Sequence, residues 1–333
     1  MHDPPVSLHP CRTRVVIPIF NDWPAVTRVL RELGAELSAA GRTAEVLLVD
    51  DGSTEAADAS LHRDTPGVTR VDMLRLRRNL GHQRAIAIGL AYIEAEAPAD
   101  FVVVMDGDGE DRPSDVPRLL AAADAATGIV FAERRRRSEG LLFTALYHAY
   151  RAAHRLLTGI EVRVGNFSVI PHAQLTRLVA VSDLWNHYAA AVFKSRLPFT
   201  TVSTARGSRY AGDTQMNYAA LVGHGLSAMA AFGDRIGVRL LTMTSVVMLA
   251  AAAVFVAALA RMWTAGPLPA WIPFVAALAL LLAFQLIVVS VTFVFVILGG
   301  RDTATFLPLR DYQYYVLDCT PLAVPHDSVP VRG

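Results

Sequence analysis

Phe101-Val-Val-Val-Met105 runs directly into Asp106-Gly-Asp-Gly-Glu-Asp111-Arg-Pro113, and the reading of this junction decides the fold. Five apolar, largely β-branched residues in a row suit a strand buried on both faces, the kind found inside a parallel sheet. The same pattern repeats outward from it. Arg14–Pro18, Glu45–Val49 and Val71–Leu76 are further short apolar runs, and Gly128–Ala132 is another. Helical stretches separate them: Pro24–Ala40, His82–Ala97 and Ser114–Ala126, the last with Ser114 as its expected N-cap. Strand alternating with helix predicts an α/β fold on a doubly wound, mainly parallel sheet. In such sheets ligands bind beyond the carboxyl ends of the strands. Three polar loops fall there: Pro18-Ile-Phe-Asn-Asp22, Asp50-Asp-Gly-Ser-Thr54 and Asp106–Asp111.

Asp, Asn, Gly and Ser are also what turns and helix caps use, so one such loop alone would be ordinary. Three together point to a site. Asp106 and Asp108, two residues apart after an apolar strand, hold two carboxylates near one point. Mg²⁺ or Mn²⁺ takes that arrangement when substrate phosphates complete its octahedron. Gly-x-x-x-x-Gly-Lys-Ser/Thr is absent, as is Gly-x-Gly-x-x-Gly after the first strand, which leaves a metal–diphosphate site rather than a P-loop or dinucleotide fold.

The 333 residues are 53% hydrophobic and only 18% charged, too apolar for an ordinary soluble enzyme. The excess is concentrated late in the chain. Leu240–Ala260 and Trp271–Leu298 are each long enough to span a bilayer as a helix, and Arg261–Trp271 between them carries Gly, Pro and two Trp, as an interfacial turn would. Arg235 and Arg239 precede the pair and Arg301 and Arg310 follow it, so the positive-inside rule puts both termini in the cytoplasm of a cell with an inner membrane. The N-terminus lacks the basic-then-apolar order of a secretory signal, which fits a cytoplasmic catalytic portion. A net charge of +1 speaks against a nucleic-acid partner. Cys11 and Cys319 have no metal-ligand spacing and suggest no disulfide framework. The expected organisation is a tail over 1–11, a catalytic domain over 12–215, an interfacial helix over 216–236, a transmembrane hairpin over 237–300, and a cytoplasmic tail over 301–333.

Ile17-Pro-Ile-Phe-Asn-Asp22, Val49-Asp-Asp-Gly-Ser-Thr54, Arg78-Asn-Leu-Gly-His-Gln-Arg-Ala85 and Met105–Pro113 occur in the order and spacing of the family 2 glycosyltransferases with the GT-A fold. With the hairpin, the chain most resembles the branch of dolichyl-phosphate mannose synthase and bacterial polyprenyl-phosphate glucosyltransferases. That resemblance implies a nucleotide site at Pro18, Phe20, Asp22, Asp50, Asp51, Asn79, Gly81, Asp106 and Gly107. It implies a metal site at Asp106 and Asp108, with Glu110 where the family often has Gln. The implied partners are a nucleotide sugar, UDP-glucose before GDP-mannose, a polyprenyl phosphate lipid and the membrane, with a homo-oligomer through the hairpin.

Arginine dominates the basic residues, Lys194 being the only lysine, and its planar fork suits phosphate oxygens. Arg134-Arg-Arg-Arg137 precedes an amphipathic stretch, Leu141–Leu157, suited to lie on a membrane. Arg206-Gly-Ser-Arg209 resembles the family's loop that closes over donor and acceptor, with Asp213-Thr-Gln215 in place of the usual Ser-Lys ending. Arg134, Arg137, Arg206 and Arg209 therefore join Asp106 and Asp108 as candidate catalytic residues. Gly165-Asn166-Phe167-Ser168 stands where many relatives have Gly-Asp-Phe-Arg, so a mechanism requiring that Asp as base would fail here. A phosphate acceptor needs none, because a phosphomonoester with a second pKa of about 6 is already an anion near neutral pH. Two other readings stay open. One is a transferase acting on a saccharide or protein hydroxyl, with Asp183 or Asp213 as base. The other is an inactive membrane scaffold, motivated by Asn166 and the altered 213–215 segment.

Overall fold

The computed structural model describes residues 11–57, 61, 65–134, 155–159, 164–210, 232–266, 268, 269, 271–299 and 306–323. The chain divides into two units: one holds the sheet and takes in the chain from Phe306 onward, the other holds the two long apolar helices.

In the first unit, β1 (Thr13–Ile19), β2 (Ala44–Asp50), β3 (Val68–Leu76) and β4 (Phe101–Val104) follow the apolar runs of the sequence. All seven residues of β1 are buried, as a strand covered on both faces requires. Helices α1 (Trp23–Ala39), α2 (His82–Glu96) and α3 (Val116–Ala125) connect them. Ser114 is not the N-cap of α3. It sits within a 3₁₀ turn over Pro113–Asp115, and Asp115 occupies the position before the helix. Pro113 and Pro117 tighten this entry, since neither needs to donate a backbone hydrogen bond in a first turn.

Then come β5 (Ile129–Arg134), β6 (Ser168–Pro171), α4 (His172–Leu178), α5 (Tyr188–Lys194), β7 (Phe199–Thr204), a short α8 (Pro308–Asp311) beyond the hairpin and β8 (Val316–Ala323). The sheet order is β7-β5-β6-β4-β1-β2-β3-β8. Its centre, β3-β2-β1-β4, is parallel, as expected, and so is β5 with β7. The flanks make it a mixed sheet: β6 runs antiparallel to both β4 and β5, and β8 antiparallel to β3. One core lies on each face, around Ile86, Phe131 and Tyr188 on one and Leu30, Leu33 and Leu48 on the other.

The segment expected as a cytoplasmic tail over 301–333 is in part a piece of the sheet. Tyr312 is buried on Tyr92, its hydroxyl donates to Glu96 (2.8 Å), Arg77 N–H donates to the Tyr315 carbonyl (2.9 Å), and Asp318 pairs with Arg75 across the β3–β8 ladder. Trp185, Phe306 and Tyr315 cluster where the chain re-enters this unit.

In the second unit, α6 (Gly233–Ala265) and α7 (Trp271–Gly299) are both long and apolar enough to cross a membrane. Helix α6 outruns the expected Leu240–Ala260 at both ends. Its start at Gly233 absorbs the last residues assigned to an interfacial helix over 216–236, and Arg261 and Trp263 lie on it rather than in the turn. Residues 211–231, with the rest of that helix, and most of Leu141–Leu157 lie outside the described residues. The two helices run in opposite senses, with Gly233 against Ile297 and Gly237 against Val294; Thr244 donates to Ser290 at 3.3 Å. Leu249, Val254 and Val289 expose 71, 62 and 62% of their surface, which a soluble core helix would bury.

Candidate active site

The loops after β1, β2 and β4 meet at the carboxyl edge of the sheet, and specific bonds hold them there. Asn21 adopts a left-handed conformation (φ 56°) that its short polar side chain tolerates. Its Oδ1 accepts from the N–H groups of Thr54 (2.8 Å) and Glu55 (3.1 Å), and its own N–H donates to Ser53 Oγ (3.0 Å). Trp23 Nε1 donates to the Glu55 carbonyl from the start of α1 (3.0 Å). The β1 and β2 loops are thereby one piece. Phe20 is exposed beside them.

Asp50 and Asp51 are buried, and both face backbone. Asp50 Oδ1 accepts from Ser53 N–H (2.8 Å); Asp51 accepts from Leu80 N–H (2.7 Å) through one oxygen and Gly81 N–H (2.8 Å) through the other. Burial pushes the Asp51 pKa up, against the two amides that favour the anion. Gly52 makes the fit between these loops: at φ 75° a Cβ would lie 2.8 Å from Asn79 N. Asp51 therefore shapes the loop that carries Asn79 and Gly81.

The loop after β4 is different. Asp111, 2% exposed, accepts from Asp106 N–H through Oδ2 (2.9 Å) and fixes the start of the loop. Gly107 packs on the end of β1, where a Cβ would meet Ile17 at 3.1 Å. Asp108 Oδ1 accepts from Glu110 N–H (2.9 Å), and the remaining carboxylate oxygens of Asp106, Asp108 and Glu110 meet side chains. Asp106 Oδ1 lies 3.1 Å from His82 Nε2, Asp108 Oδ2 accepts from Arg209 Nη2 at 2.8 Å, and Glu110 takes Arg206 on both oxygens at 2.7 Å. Desolvation favours neutral His82, but the carboxylates of Asp106, Asp111 and Asp108 outweigh it and its pKa is raised. Burial and Asp108 raise the pKa of Asp22, with Arg209 opposing. Charge from three loops thus converges on one place.

Two hard oxygen donors on an anchored loop fit Mg²⁺ or Mn²⁺. Among the described residues no three His, Cys, Asp or Glu side chains gather into a closed cage, and Glu110, expected as a third ligand, turns to Arg206. The donor set suits a cation that takes its remaining oxygens from substrate and water.

His82 and Asn166 were not among the expected site residues. Asn166 Nδ2 lies 3.0 Å from His82 Nε2, and its Oδ1 accepts from Gln83 Nε2 (3.2 Å), whose own Oε1 accepts from Tyr188 N–H (2.8 Å). Two residues beyond Asn166, Ser168 is fully buried with its Oγ 2.7 Å from the buried Tyr188 hydroxyl, where an Arg would have no room. Of the four arginines, the structure brings Arg206 and Arg209 to the acidic loop. Arg134 ends β5 in register with Thr204, the last residue of β7. Arg137 and Asp213 lie outside the described residues. Asp183 is engaged by Lys194 at 2.9 Å.

The model of the family described as glycosyl transferase family 2 matches residues 14–185, just over half of the chain. The chain belongs to glycosyl transferase family 2. Its motif loops are the strand ends just described. Among curated relatives it is 30% identical over 165 residues to the undecaprenyl-phosphate 4-deoxy-4-formamido-L-arabinose transferase of Edwardsiella ictaluri, covering 49% of this chain and 47% of that protein. It is 32% identical over 146 residues to the Klebsiella pneumoniae transferase of the same name, with 41% and 40% covered. The chain spans about half the length of these family 2 relatives or less. Glucosyl-3-phosphoglycerate synthase from Mycobacterium tuberculosis, solved with Mn²⁺, UDP-glucose and phosphoglyceric acid, superposes at TM-score 0.48 with 17% identity over 68% of this chain and 80% of that one.

Proposed function

We propose that the protein transfers a sugar from a nucleotide sugar to a polyprenyl phosphate at the inner face of the cytoplasmic membrane, with inversion at the anomeric carbon. The observation that carries this is the Asp106–Asp111 loop, where Asp106, Asp108 and Glu110 each turn a carboxylate oxygen to a cationic side chain or His, namely His82, Arg209 and Arg206. The likeness to transferases named for undecaprenyl phosphate supports the acceptor class. A membrane-lipid acceptor also accounts for two spanning-length helices in a chain with a nucleotide-type sheet.

The chemistry asks little acid–base work of the protein. The acceptor phosphate is an anion near pH 7, so no residue need take its proton, and Asn166 in the Gly-Asn-Phe-Ser segment is no impediment. What the chain must do is align that oxygen with the anomeric carbon and stabilise the departing nucleoside diphosphate. Arg206 and Arg209 carry planar forks suited to its oxygens. A Mg²⁺ or Mn²⁺ held by Asp106 and Asp108 would neutralise charge on the same diphosphate. Asp22, which follows Phe20 at the end of β1, would meet the nucleoside. In-line attack by the lipid phosphate inverts the donor linkage, from α to β.

The donor is tested with a panel: radiolabelled UDP-glucose, GDP-mannose and a nucleotide-linked 4-formamido-L-arabinose, each given to membranes with undecaprenyl phosphate. Organic-extractable label that depends on added lipid phosphate is the expected result, with UDP-glucose the first candidate. Label confined to water-soluble or protein-bound product would move the acceptor to a hydroxyl. No turnover with any donor would leave the scaffold reading.

A further inference from the structure

The segment Arg206–Tyr210 is stitched to the acidic loop by more than its two arginines. Gly207 N–H donates to the Glu110 carbonyl (2.8 Å) and Tyr210 N–H to the Asp108 carbonyl (2.9 Å), so the two loops are joined through backbone at both ends. The Tyr210 ring lies on Gly109. A Cβ there would approach Tyr210 Cδ2 to 2.5 Å, and φ at Gly109 is +88°, so both the space and the conformation require glycine. On its other side Tyr210 is tied to α1: its hydroxyl donates to Glu32, and the Arg28 guanidinium stacks 4.1 Å from the ring centroid. Burial, with Glu32 beside it, pushes the Tyr210 pKa up to about 12, so the hydroxyl keeps its proton at any physiological pH.

This arrangement has a chemical consequence. Asp108 gives Oδ1 to Glu110 N–H and Oδ2 to Arg209, so the Arg209 guanidinium sits on the oxygen not held by backbone and competes by charge with any outside cation there. Resting on the reading of Asp106 and Asp108 as cation ligands, we propose that Tyr210 is the latch of a short lid, Arg206–Tyr210, that competes with the divalent cation for the acidic loop. When the latch releases, Arg209 leaves Asp108 and Arg206 leaves Glu110. The two guanidiniums are then free for diphosphate oxygens, while the carboxylates serve the cation. Tyr210 is a positioning residue here, acting through Arg209 from a side chain bound to α1.

Mn²⁺ binding by the full-length protein in detergent, read from the free-ion EPR signal without nucleotide, tests this with variants that leave the charge of the site unchanged. Tyr210→Ala is expected to bind Mn²⁺ roughly fivefold more tightly than wild type, the scale of one partly exposed ion pair. Tyr210→Phe, which keeps the ring and loses only the bond to Glu32, should shift the same way by less and decides the matter if the alanine variant misfolds. Mn²⁺ alone should also speed tryptic cleavage after Arg206 and Arg209 in wild type. Equal Mn²⁺ affinity in wild type and both variants would overturn the latch while leaving the cation site standing. Mn²⁺ binding by none of them would overturn both the latch and the metal reading.

Discussion

Asp50-Asp51 after β2 and Asp106–Asp111 after β4 are both acidic loops at the carboxyl edge of one sheet, yet their carboxylates do different work. Asp51 is 3% exposed and divides its oxygens between two backbone amides; Asp106 has a side chain 27% exposed and faces His82, while Asp108 faces Arg209. A carboxylate satisfied by backbone fixes a loop and has little left to give a ligand. One satisfied by a guanidinium can exchange that partner for another cation. The contrast separates carboxylates held by backbone from carboxylates that also face cationic side chains within a single edge, and substitutions can break it.

The largest effect is expected at Asp108. Asp108→Asn should lower sugar transfer by about a hundredfold or more, the scale of losing a principal electrostatic contact to the reacting groups, with the circular dichroism spectrum unchanged. At Asp51 the expectation is reversed. Asp51→Ala strips the acceptor from two buried N–H groups and should cost about 2 kcal/mol of stability in chemical denaturation, while the folded fraction keeps its turnover. Asn21→Ala removes the clamp between the β1 and β2 loops and places alanine in a left-handed conformation; about 1 kcal/mol is expected by the same measurement.

The smallest effect lies in the exposed pair Arg75–Asp318, which joins β8 to β3. The hydrogen bond from Arg75 holds the Asp318 carboxyl below its usual range. A depressed carboxylate contributes stability above its unfolded pKa and loses it as pH falls through the folded value. Asp318→Asn should therefore lower the melting temperature slightly at neutral pH, and the gap from wild type should close in acid.

Much of this was legible in the sequence, for physical reasons. The runs ending at Pro18, Val49 and Met105 are strands buried on both faces, and such strands announce themselves as unbroken apolar segments. Strands β7 and β8 gave no such signal. Phe199-Thr-Thr-Val-Ser-Thr204 is largely exposed at one edge, and Val316–Ala323 carries Asp318 and Pro321 at the other, where an edge tolerates a missing donor. The site was legible as a set of loops but not as roles. Asp51 and Asp108 are the same residue type after similar strands, and only the fold decides that Leu80 and Gly81 N–H meet one and Arg209 meets the other. His82 stood within a quoted motif, yet its partners, Asp106 and Asn166, are 24 and 84 positions away. Glu110, where the family often has Gln, is the residue that Arg206 pairs with in the fold, a contact 96 positions apart that no local pattern shows.

The most direct test of the central claim is the anomeric linkage of the sugar in the lipid product, read by NMR after transfer from an α-linked nucleotide sugar to undecaprenyl phosphate. The account predicts an organic-soluble product with a β-linked sugar phosphate. An α-linked product, or sugar recovered only on a water-soluble acceptor, would contradict it.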